Sequence, residues 1–316
     1  MKYAVLFPGQ GSQAVGMLSA LAAAHPVVGQ TFDEAGAALG WNLRELVSSG
    51  PDSELNKTAK TQPALLAAGV AAWRVLQASG LPPPSALAGH SLGEYAALVA
   101  AGSLDFADAL KLVELRGQLM QGAVPSGEGG MVALVGLDDA SVEKLCASYT
   151  GGGVLEPVNY NAPGQVVVAG STAALAWLEA HAKGAGARMA VRLPVSVPSH
   201  CSLMQPAAIQ LAGRLTQVPF NSPAIPILHN LDASVHPSPV SIRNALREQL
   251  YKPVRWSQTI QKLATGGVTL FLECGPGRVL AGLNKRILEK GGPASLSLED
   301  PAALEQARAL IQGTKA

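Results

Sequence analysis

The chain has 316 residues, of which 48% are hydrophobic, so it can bury a substantial core in one large or two smaller domains. Its 23 Lys and Arg residues nearly balance its 22 Asp and Glu residues, which argues against nucleic acid as a partner. The N-terminal residues lack the pattern of a signal peptide, and no uncharged apolar run is long enough to indicate a membrane span. We therefore expect a cytoplasmic globular protein that does not associate with membranes.

The three cysteines are widely spaced and form no CxxC pair. This spacing argues against both a disulfide framework and a zinc site, so we expect free thiols and no bound metal. Cys201 adjoins His200, but neighbours in sequence need not face each other, and we do not predict a nucleophilic thiol. The three residues are Cys146, Cys201 and Cys274.

Residues 1–127 alternate short apolar runs, typical of strands, with longer Ala- and Leu-rich runs, typical of helices. Helices that separate strands imply parallel pairing, so this region predicts a layered α/β fold. In chain order, the pattern predicts a strand over 3–7, helices over 15–24 and 62–78, a strand over 86–89, a helix from Leu92 and a helix over 105–121.

The rhythm changes between residues 128 and 195, where the elements follow the order βαββαβ of a ferredoxin-like domain. The flanking segments are rich in Pro, Gly and Ser, as expected of crossings between domains. We therefore expect residues 128–195 to form a small subdomain inserted into a larger one. The predicted elements are strand 131–135, helix 138–147, strands 154–158 and 165–169, helix 172–183 and strand 188–193.

Residues 196–316 return to alternating strands and helices. We expect them to complete, together with residues 1–127, one large α/β subdomain. The predicted elements are helix 203–215, strand 225–229, helices 240–250 and 256–265, strand 269–273, a helix after the GPG segment 275–277, a short strand and a final helix.

Ser91 stands between Gly89 and Gly93, directly after a predicted strand and directly before a predicted helix. The G-x-S-x-G pattern in this context is typical of a nucleophile elbow, in which side chains at the two glycine positions would collide. The turn leaves the hydroxyl at a helix N-terminus, where free amide protons stabilise negative charge. A chance match is the alternative in a chain with 34 glycines, but the flanking elements favour a nucleophile.

The segment FPGQGSQ follows the first predicted strand and invites comparison with a dinucleotide-binding fingerprint. In that fingerprint an acidic residue ends a second strand, whereas Asp33 falls in a helical pattern. The turn at Gln10 is better suited to donating a backbone N–H to an oxyanion, provided that the first two strands are neighbours. We accordingly predict no cofactor.

Arg116 lies on the apolar face of the helix predicted over 105–121. Two interpretations stay open: an arginine whose head reaches water at the helix margin, or a buried guanidinium that binds a carboxylate bidentately. His200 follows a strand-like run and precedes a helix, where it can face a cleft. A catalytic serine needs such a base, and the base needs an orienting group. No Asp or Glu stands out for that role, which leaves a backbone carbonyl as one alternative.

A series of short motifs covers nearly the whole chain: FPGQGSQ, TQPALL, GHSLGEY, the Arg of VELRG, VNYNAPGQ, VPSH, QLYKPVRW and ECGPG. Together they resemble the malonyl-CoA:acyl carrier protein transacylases of bacterial fatty acid synthesis. The resemblance implies an α/β-hydrolase-like large subdomain with a parallel sheet and a ferredoxin-like insert. It also implies a ping-pong transfer of malonyl from malonyl-CoA to the phosphopantetheine thiol of acyl carrier protein, and we expect a monomer.

The resemblance further implies a role for each matching residue. Ser91 would be the nucleophile, His200 its base, and Arg116 the group that binds the malonyl carboxylate. The remaining expected site residues are the backbone amides of Gln10 and Leu92 as oxyanion hole, the carbonyl of Gln249 as the group that orients His200, and Gln62 and Asn161 beside the site.

Three alternatives remain at this point. A serine hydrolase or thioesterase would share Ser91 and His200 but would gain nothing from Arg116. A carrier-docking subunit without catalysis would rely on basic residues such as Lys285, Arg286 and Lys290. A third alternative retains the chemistry but places the chain in a malonate decarboxylase or a polyketide pathway.

Overall fold

The computed structural model describes residues 1–195, 197–288 and 290–313. The predicted boundary residue Ser196 and the last three residues of the range 196–316 therefore lie outside the described residues.

The described residues contain two sheets with helices packed around them. The strands are β1 (Tyr3–Phe7), β2 (Ala86–Gly89), β3 (Gly129–Val135), β4 (Leu155–Ala162), β5 (Gln165–Ser171), β6 (Met189–Arg192), β7 (Ile227–Leu228), β8 (Leu270–Glu273) and β9 (Ala294–Ser297). The helices are α1 (Ser19–Ala24), α2 (Val27–Leu39), α3 (Leu43–Ser49), α4 (Asp52–Leu55), α5 (Thr58–Ala78), α6 (Gly93–Ala100), α7 (Phe106–Gly122), α8 (Asp139–Ala147), α9 (Thr172–Ala182), α10 (Gln205–Leu215), α11 (Pro239–Gln249), α12 (Trp256–Thr265), α13 (Val279–Ile287) and α14 (Pro301–Gln312).

The larger sheet has five parallel strands in the order β7-β2-β1-β8-β9. Every residue of β1, β2 and β8 is buried, as expected where helices cover both faces of a parallel sheet. Strands β1 and β2 are neighbours, and Phe7 at the end of β1 pairs with Gly89 at the end of β2. The loops that follow these two strands therefore emerge side by side at the carboxyl edge of the sheet.

The smaller sheet has four antiparallel strands in the order β4-β5-β3-β6. Its apolar core lies under α8 and α9 and includes Val132, Val166, Val168 and Leu178. The predicted fold class, a parallel sheet together with a βαββαβ unit, is confirmed. The division at residues 128–195 stays a prediction.

Backbone hydrogen bonds join the smaller sheet to the chain segment around Val254, between α11 and α12. The Tyr160 N–H donates to the Val254 carbonyl at 3.0 Å, and the Val254 N–H donates to the Val158 carbonyl at 2.8 Å. Strand β4 is thus tied to the segment that leads into α12. The face of the smaller sheet beside this tie borders the carboxyl edge of the larger one.

Several predicted boundaries are wrong, for identifiable reasons. The helix predicted over 15–24 begins only at Ser19, because Gly16 and Leu18 adopt left-handed φ angles of 82° and 60°. The strand predicted over 225–229 is reduced to Ile227–Leu228, since Pro226 has no N–H for pairing. Helices α3 and α4 had no counterpart in the prediction, because both are too short for a clear apolar period.

None of the helices in the described ranges is both long and apolar enough to cross a membrane.

We expect Gly93→Ala to destabilise the fold far more than an alanine at a glycine in open space. A Cβ at Gly93 would lie 2.0 Å from the carbonyl oxygen of Phe7, so β1 or α6 would have to shift. The expected loss is about 3 kcal/mol or more in the free energy of unfolding, measured by urea denaturation. Gly122→Ala is the control, because its Cβ would meet nothing within 4 Å, and it should stabilise α7 by about 1 kcal/mol at most. Equal stabilities of the two variants would contradict the prediction.

Candidate active site

Ser91 occupies a sharp turn between β2 and α6 and has a left-handed φ of 50°. The turn brings backbone segments so close that a Cβ at Gly89 would lie 1.9 Å from the carbonyl carbon of Gly93. Glycine is therefore required on both sides of the serine for steric reasons. This geometry presents the Ser91 side chain at the carboxyl edge of the parallel sheet, as the sequence pattern predicted.

His200 lies directly against Ser91. The Ser91 Oγ is 2.7 Å from Nε2 of His200, and Nδ1 of the same ring is 2.6 Å from the backbone carbonyl of Gln249. The carbonyl can only accept, so Nδ1 carries the proton and Nε2 is free to accept the serine proton. The backbone N–H of His200 donates to the Leu250 carbonyl at 2.9 Å, which holds the histidine from the same chain segment.

Arg116 is only 1% exposed, and its guanidinium faces Ser91. Its Nη2 is 3.4 Å from the Ser91 Oγ and donates to Oε1 of Gln249 at 3.0 Å, while Nη1 donates to Oε1 of Gln62 at 2.8 Å. Both amide partners are neutral, and Nε has no hydrogen-bond acceptor among the described residues. Of the two interpretations, the buried guanidinium is therefore the one that the structure supports.

A cavity of about 200 Å³ opens in front of Ser91 and His200, and Gln10, Leu92 and Asn161 are among its lining residues. Gln10 follows β1 and Leu92 follows β2, so their backbones approach the serine from adjacent loops. Neither amide donates to a backbone carbonyl in the part of the chain that the structure describes. Both N–H groups are thus without a backbone acceptor among the described residues.

Asn161 lies at the other side of the cavity, at the end of β4. Its Oδ1 is 2.8 Å from Nε2 of His90, whose ring lies 5.3 Å from the Trp256 ring between centroids. The contact joins the small sheet to the residue that precedes Ser91. Asn161 thus lines the cavity and contacts His90.

The alternatives considered for Cys201 and Asp33 have no support in the structure. The Cys201 thiol is fully buried and donates to the Pro198 carbonyl, and burial raises its pKa to about 12. A thiol in this state is a poor nucleophile. Asp33 lies within α2 and pairs with Arg44 at the surface.

Comparison with known proteins places the chain in a family. The acyl transferase domain family matches residues 5–302. The malonyl CoA-acyl carrier protein transacylase of Salmonella typhimurium is 52% identical over 306 residues, which are 97% of this chain and 98% of the relative. The Bacillus subtilis protein of the same name is 41% identical over 97% of this chain and 96% of its own length. The chain belongs to this transacylase family.

Solved structures of family members match the whole fold. An acyl carrier protein S-malonyltransferase from Vibrio cholerae has a TM-score of 0.94 and 53% identity, over 97% of this chain and 100% of its own. A malonyl-transacylase in complex with a type II polyketide synthase acyl carrier protein has a TM-score of 0.95 and 51% identity, over 97% and 99% of the two chains. The resemblance seen in the motifs is confirmed, and the chain is an acyltransferase.

Three buried polar residues next to the site, Glu94, His229 and Asn230, were not predicted as site residues from the sequence. The Glu94 carboxylate lies behind Ser91 and accepts hydrogen bonds from His229, Asn230 and Gln249. A signal was present in the sequence. Glu94 interrupts an otherwise apolar helix, and His229 and Asn230 stand at the end of the strand predicted over 225–229. What the sequence could not provide was the meeting of segments more than 130 residues apart.

The structure favours the neutral form of His200. Burial, together with the positive charge of Arg116, lowers the pKa of His200 to about 3. Burial also lowers the pKa of Arg116 from its ordinary value, although an arginine side chain keeps its charge in proteins. At neutral pH the pair therefore consists of a neutral imidazole beside a fixed cation.

We expect the reactivity of Ser91 to persist in mild acid. A histidine at its ordinary pKa of about 6.5 would be mostly protonated at pH 5, whereas His200 with its lowered pKa stays neutral there. The rate of Ser91 modification by a fluorophosphonate should therefore change less than about threefold between pH 7 and pH 5. His200→Ala should abolish the fast modification. An acid limb near pH 6.5 in the unmodified chain would show that the burial effect on His200 is absent.

Proposed function

We propose that the chain transfers the malonyl group from malonyl-CoA to the phosphopantetheine thiol of acyl carrier protein, in fatty acid biosynthesis. The transfer proceeds by a ping-pong mechanism through a malonyl ester of Ser91. The relatives named above support this substrate and this acceptor, and the geometry at Ser91 supports the covalent route.

The proposal that the transferred group is malonyl depends on Arg116. It is a buried cation within 3.4 Å of the Ser91 Oγ, and its side-chain amide partners are neutral. A malonyl group attached to Ser91 carries one free carboxylate, which the planar guanidinium can bind bidentately in exchange for the amides. A neutral acyl group would offer the guanidinium no anionic hydrogen-bond partner, so malonyl is the favoured substrate.

Acylation begins when the Ser91 Oγ attacks the thioester carbon of malonyl-CoA and Nε2 of His200 takes the hydroxyl proton. The oxyanion that forms accepts hydrogen bonds from the backbone amides of Gln10 and Leu92, each of which contributes roughly 3 to 4 kcal/mol. The carbon–sulfur bond then breaks, and His200 returns the proton to the departing coenzyme A thiolate. The Gln249 carbonyl keeps the ring in the required tautomer during both proton transfers.

The second half-reaction repeats these steps with another thiol. His200 takes the proton of the phosphopantetheine thiol as its sulfur attacks the ester carbon, and the proton returns to Ser91 when the ester bond breaks. Attack by this thiol must be faster than attack by water on the malonyl ester. A narrow cavity favours the thiol because it limits the access of water. A hydrolase or thioesterase would need the opposite property and would have no use for Arg116.

The rim of the cavity offers a surface for an acidic carrier protein. Helix α13 lines the cavity with Leu280 and Leu283 and exposes the basic residues Lys285 and Arg286 to solvent. Arg286 donates to Gln165, itself a lining residue, at 2.6 Å. This combination of basic charge and proximity to Ser91 supports docking at α13. The cytoplasmic location and the monomeric state stay predictions from the sequence.

Incubation with radiolabelled malonyl-CoA should attach one malonyl group per chain at Ser91. Ser91→Ala should carry no label, because the ester needs the hydroxyl, while Ser53→Ala, an exposed serine of α4 that does not line the cavity, should be labelled like the wild type. Addition of a holo acyl carrier protein should remove the label and transfer it to the carrier. The absence of label on the wild-type chain would refute the enzyme, whereas release of free malonate alone would indicate a hydrolase.

Arg116→Ala should lower the preference for malonyl-CoA over acetyl-CoA by a factor that corresponds to roughly 2 to 5 kcal/mol, because the carboxylate loses a buried charged partner. The ratio of kcat/KM for the two substrates measures this change. Arg74→Ala is the matched control, since it removes an arginine paired with Glu34 at the surface of α5. An unchanged ratio in Arg116→Ala would contradict the proposed role.

A further inference from the structure

Glu94 is a buried acidic residue that takes no direct part in the proposed chemistry. It lies three residues after Ser91, in the first turn of α6, and its exposure is 0%. Burying a carboxylate costs free energy unless donors surround it. A buried carboxylate in this position therefore needs hydrogen-bond donors around it.

The donors come from two distant segments of the chain. Oε1 of Glu94 lies 2.7 Å from Nδ1 of His229. Oε2 accepts from the Asn230 backbone at 2.9 Å, from Nδ2 of Asn230 at 2.5 Å and from Nε2 of Gln249 at 3.0 Å. One side chain thus joins α6 to the end of β7 and to the end of α11.

Asn230 extends the contact to the turn that carries the nucleophile. Its Oδ1 accepts from the Ser91 backbone N–H at 2.6 Å, and its Nδ2 donates to the Gly89 carbonyl at 2.6 Å. These two bonds hold the backbone on the amino-terminal side of the left-handed residue. A conformation that costs energy for a residue other than glycine is thereby kept in place.

Gln249 extends the contact to the base and to the cation. Its Nε2 donates to the Ser91 carbonyl at 3.0 Å as well as to Glu94, and its Oε1 accepts from Arg116. Its backbone carbonyl orients His200. Holding Gln249 therefore sets three groups at once: the nucleophile turn, the base and the cation.

Charge makes these bonds strong. Burial alone would raise the pKa of Glu94, but His229 and the hydrogen bonds from Asn230 and Gln249 outweigh it and lower the pKa below its ordinary value. The side chain is thus a carboxylate, and hydrogen bonds to a carboxylate are shorter and stronger than those to a neutral acceptor. The same negative charge also favours the charged form of Arg116.

We propose that Glu94 is a positioning residue: its carboxylate, through Asn230 and Gln249, fixes the Ser91 turn, the His200 tautomer and the Arg116 guanidinium in one reactive arrangement. It touches neither substrate nor reacting atoms. The malonyl part of this inference rests on the proposed function. The effect on Ser91 reactivity does not depend on the substrate.

The test is Glu94→Gln, which preserves shape and one acceptor but removes the charge. Two rate constants are measured, one for malonylation of Ser91 in a single turnover and one for modification of Ser91 by a fluorophosphonate. Each is normalised to the fraction of chains that react, so that misfolded protein does not lower it. Both should fall at least about tenfold, which corresponds to about 1.4 kcal/mol of transition-state stabilisation.

Glu273→Gln is the matched control. Glu273 is 1% exposed and accepts hydrogen bonds from the backbone of Leu280 and Ala281, so its replacement likewise disturbs a buried hydrogen-bonded carboxyl group; burial raises its pKa to about 7, so it carries less charge at neutral pH than Glu94. It has no contact with Ser91, Asn230 or Gln249 in the described part of the chain. Its replacement should lower the melting temperature while the two rate constants per site stay within about threefold of wild type.

A purely structural role for Glu94 would give a different result. The reactive fraction or the melting temperature would fall while both rate constants per site stayed unchanged, and that outcome would overturn the proposal. If Glu94→Gln does not fold, Asn230→Ala replaces it, because it removes the acceptor of the Ser91 N–H. The same two rate constants should fall at least about tenfold, and unchanged rate constants would overturn the proposal. A wild-type chain that reacts with the fluorophosphonate but not with malonyl-CoA would refute the proposed function and leave the role of Glu94 testable.

Discussion

The close approach of β1, β2 and α6 is the constraint on which the site depends. The backbone of Gly93 packs against the Phe7 carbonyl, and no side chain fits between them. This contact forces the chain to turn sharply at Ser91 and places the loops after β1 and β2 next to each other. The free amides of Gln10 and Leu92 thus follow from the packing of the sheet.

Local signals predicted much of the site. Ser91 stood out through its flanking glycines, Arg116 through its place on an apolar helical face, and His200 through the end of a strand-like run. The parallel sheet and the βαββαβ unit followed from the order of apolar runs, because a buried parallel strand is apolar along its length. These features depend on neighbours in sequence, which a pattern can reveal.

What the sequence could not reveal depends on contacts between distant segments. Apolar periodicity shows which face of α6 is buried, but not that Glu94 on that face meets His229 and Asn230. The late start of α1 likewise depends on a left-handed Leu18, a residue type that gives no sign of such a backbone. The sequence also left open whether the Arg116 guanidinium is buried or reaches solvent, because its partners Gln62 and Gln249 come from distant segments.

The backbone tie between β4 and the segment before α12 has a consequence for how the cavity can change. Main-chain atoms at Val158, Tyr160 and Val254 make this tie, so its hydrogen bonds do not depend on which side chains flank it. Evolution or engineering can therefore reshape the lining one residue at a time without loosening the walls. Diversity of acyl groups within such a scaffold would arise from side-chain volume, while the backbone tie stays the same.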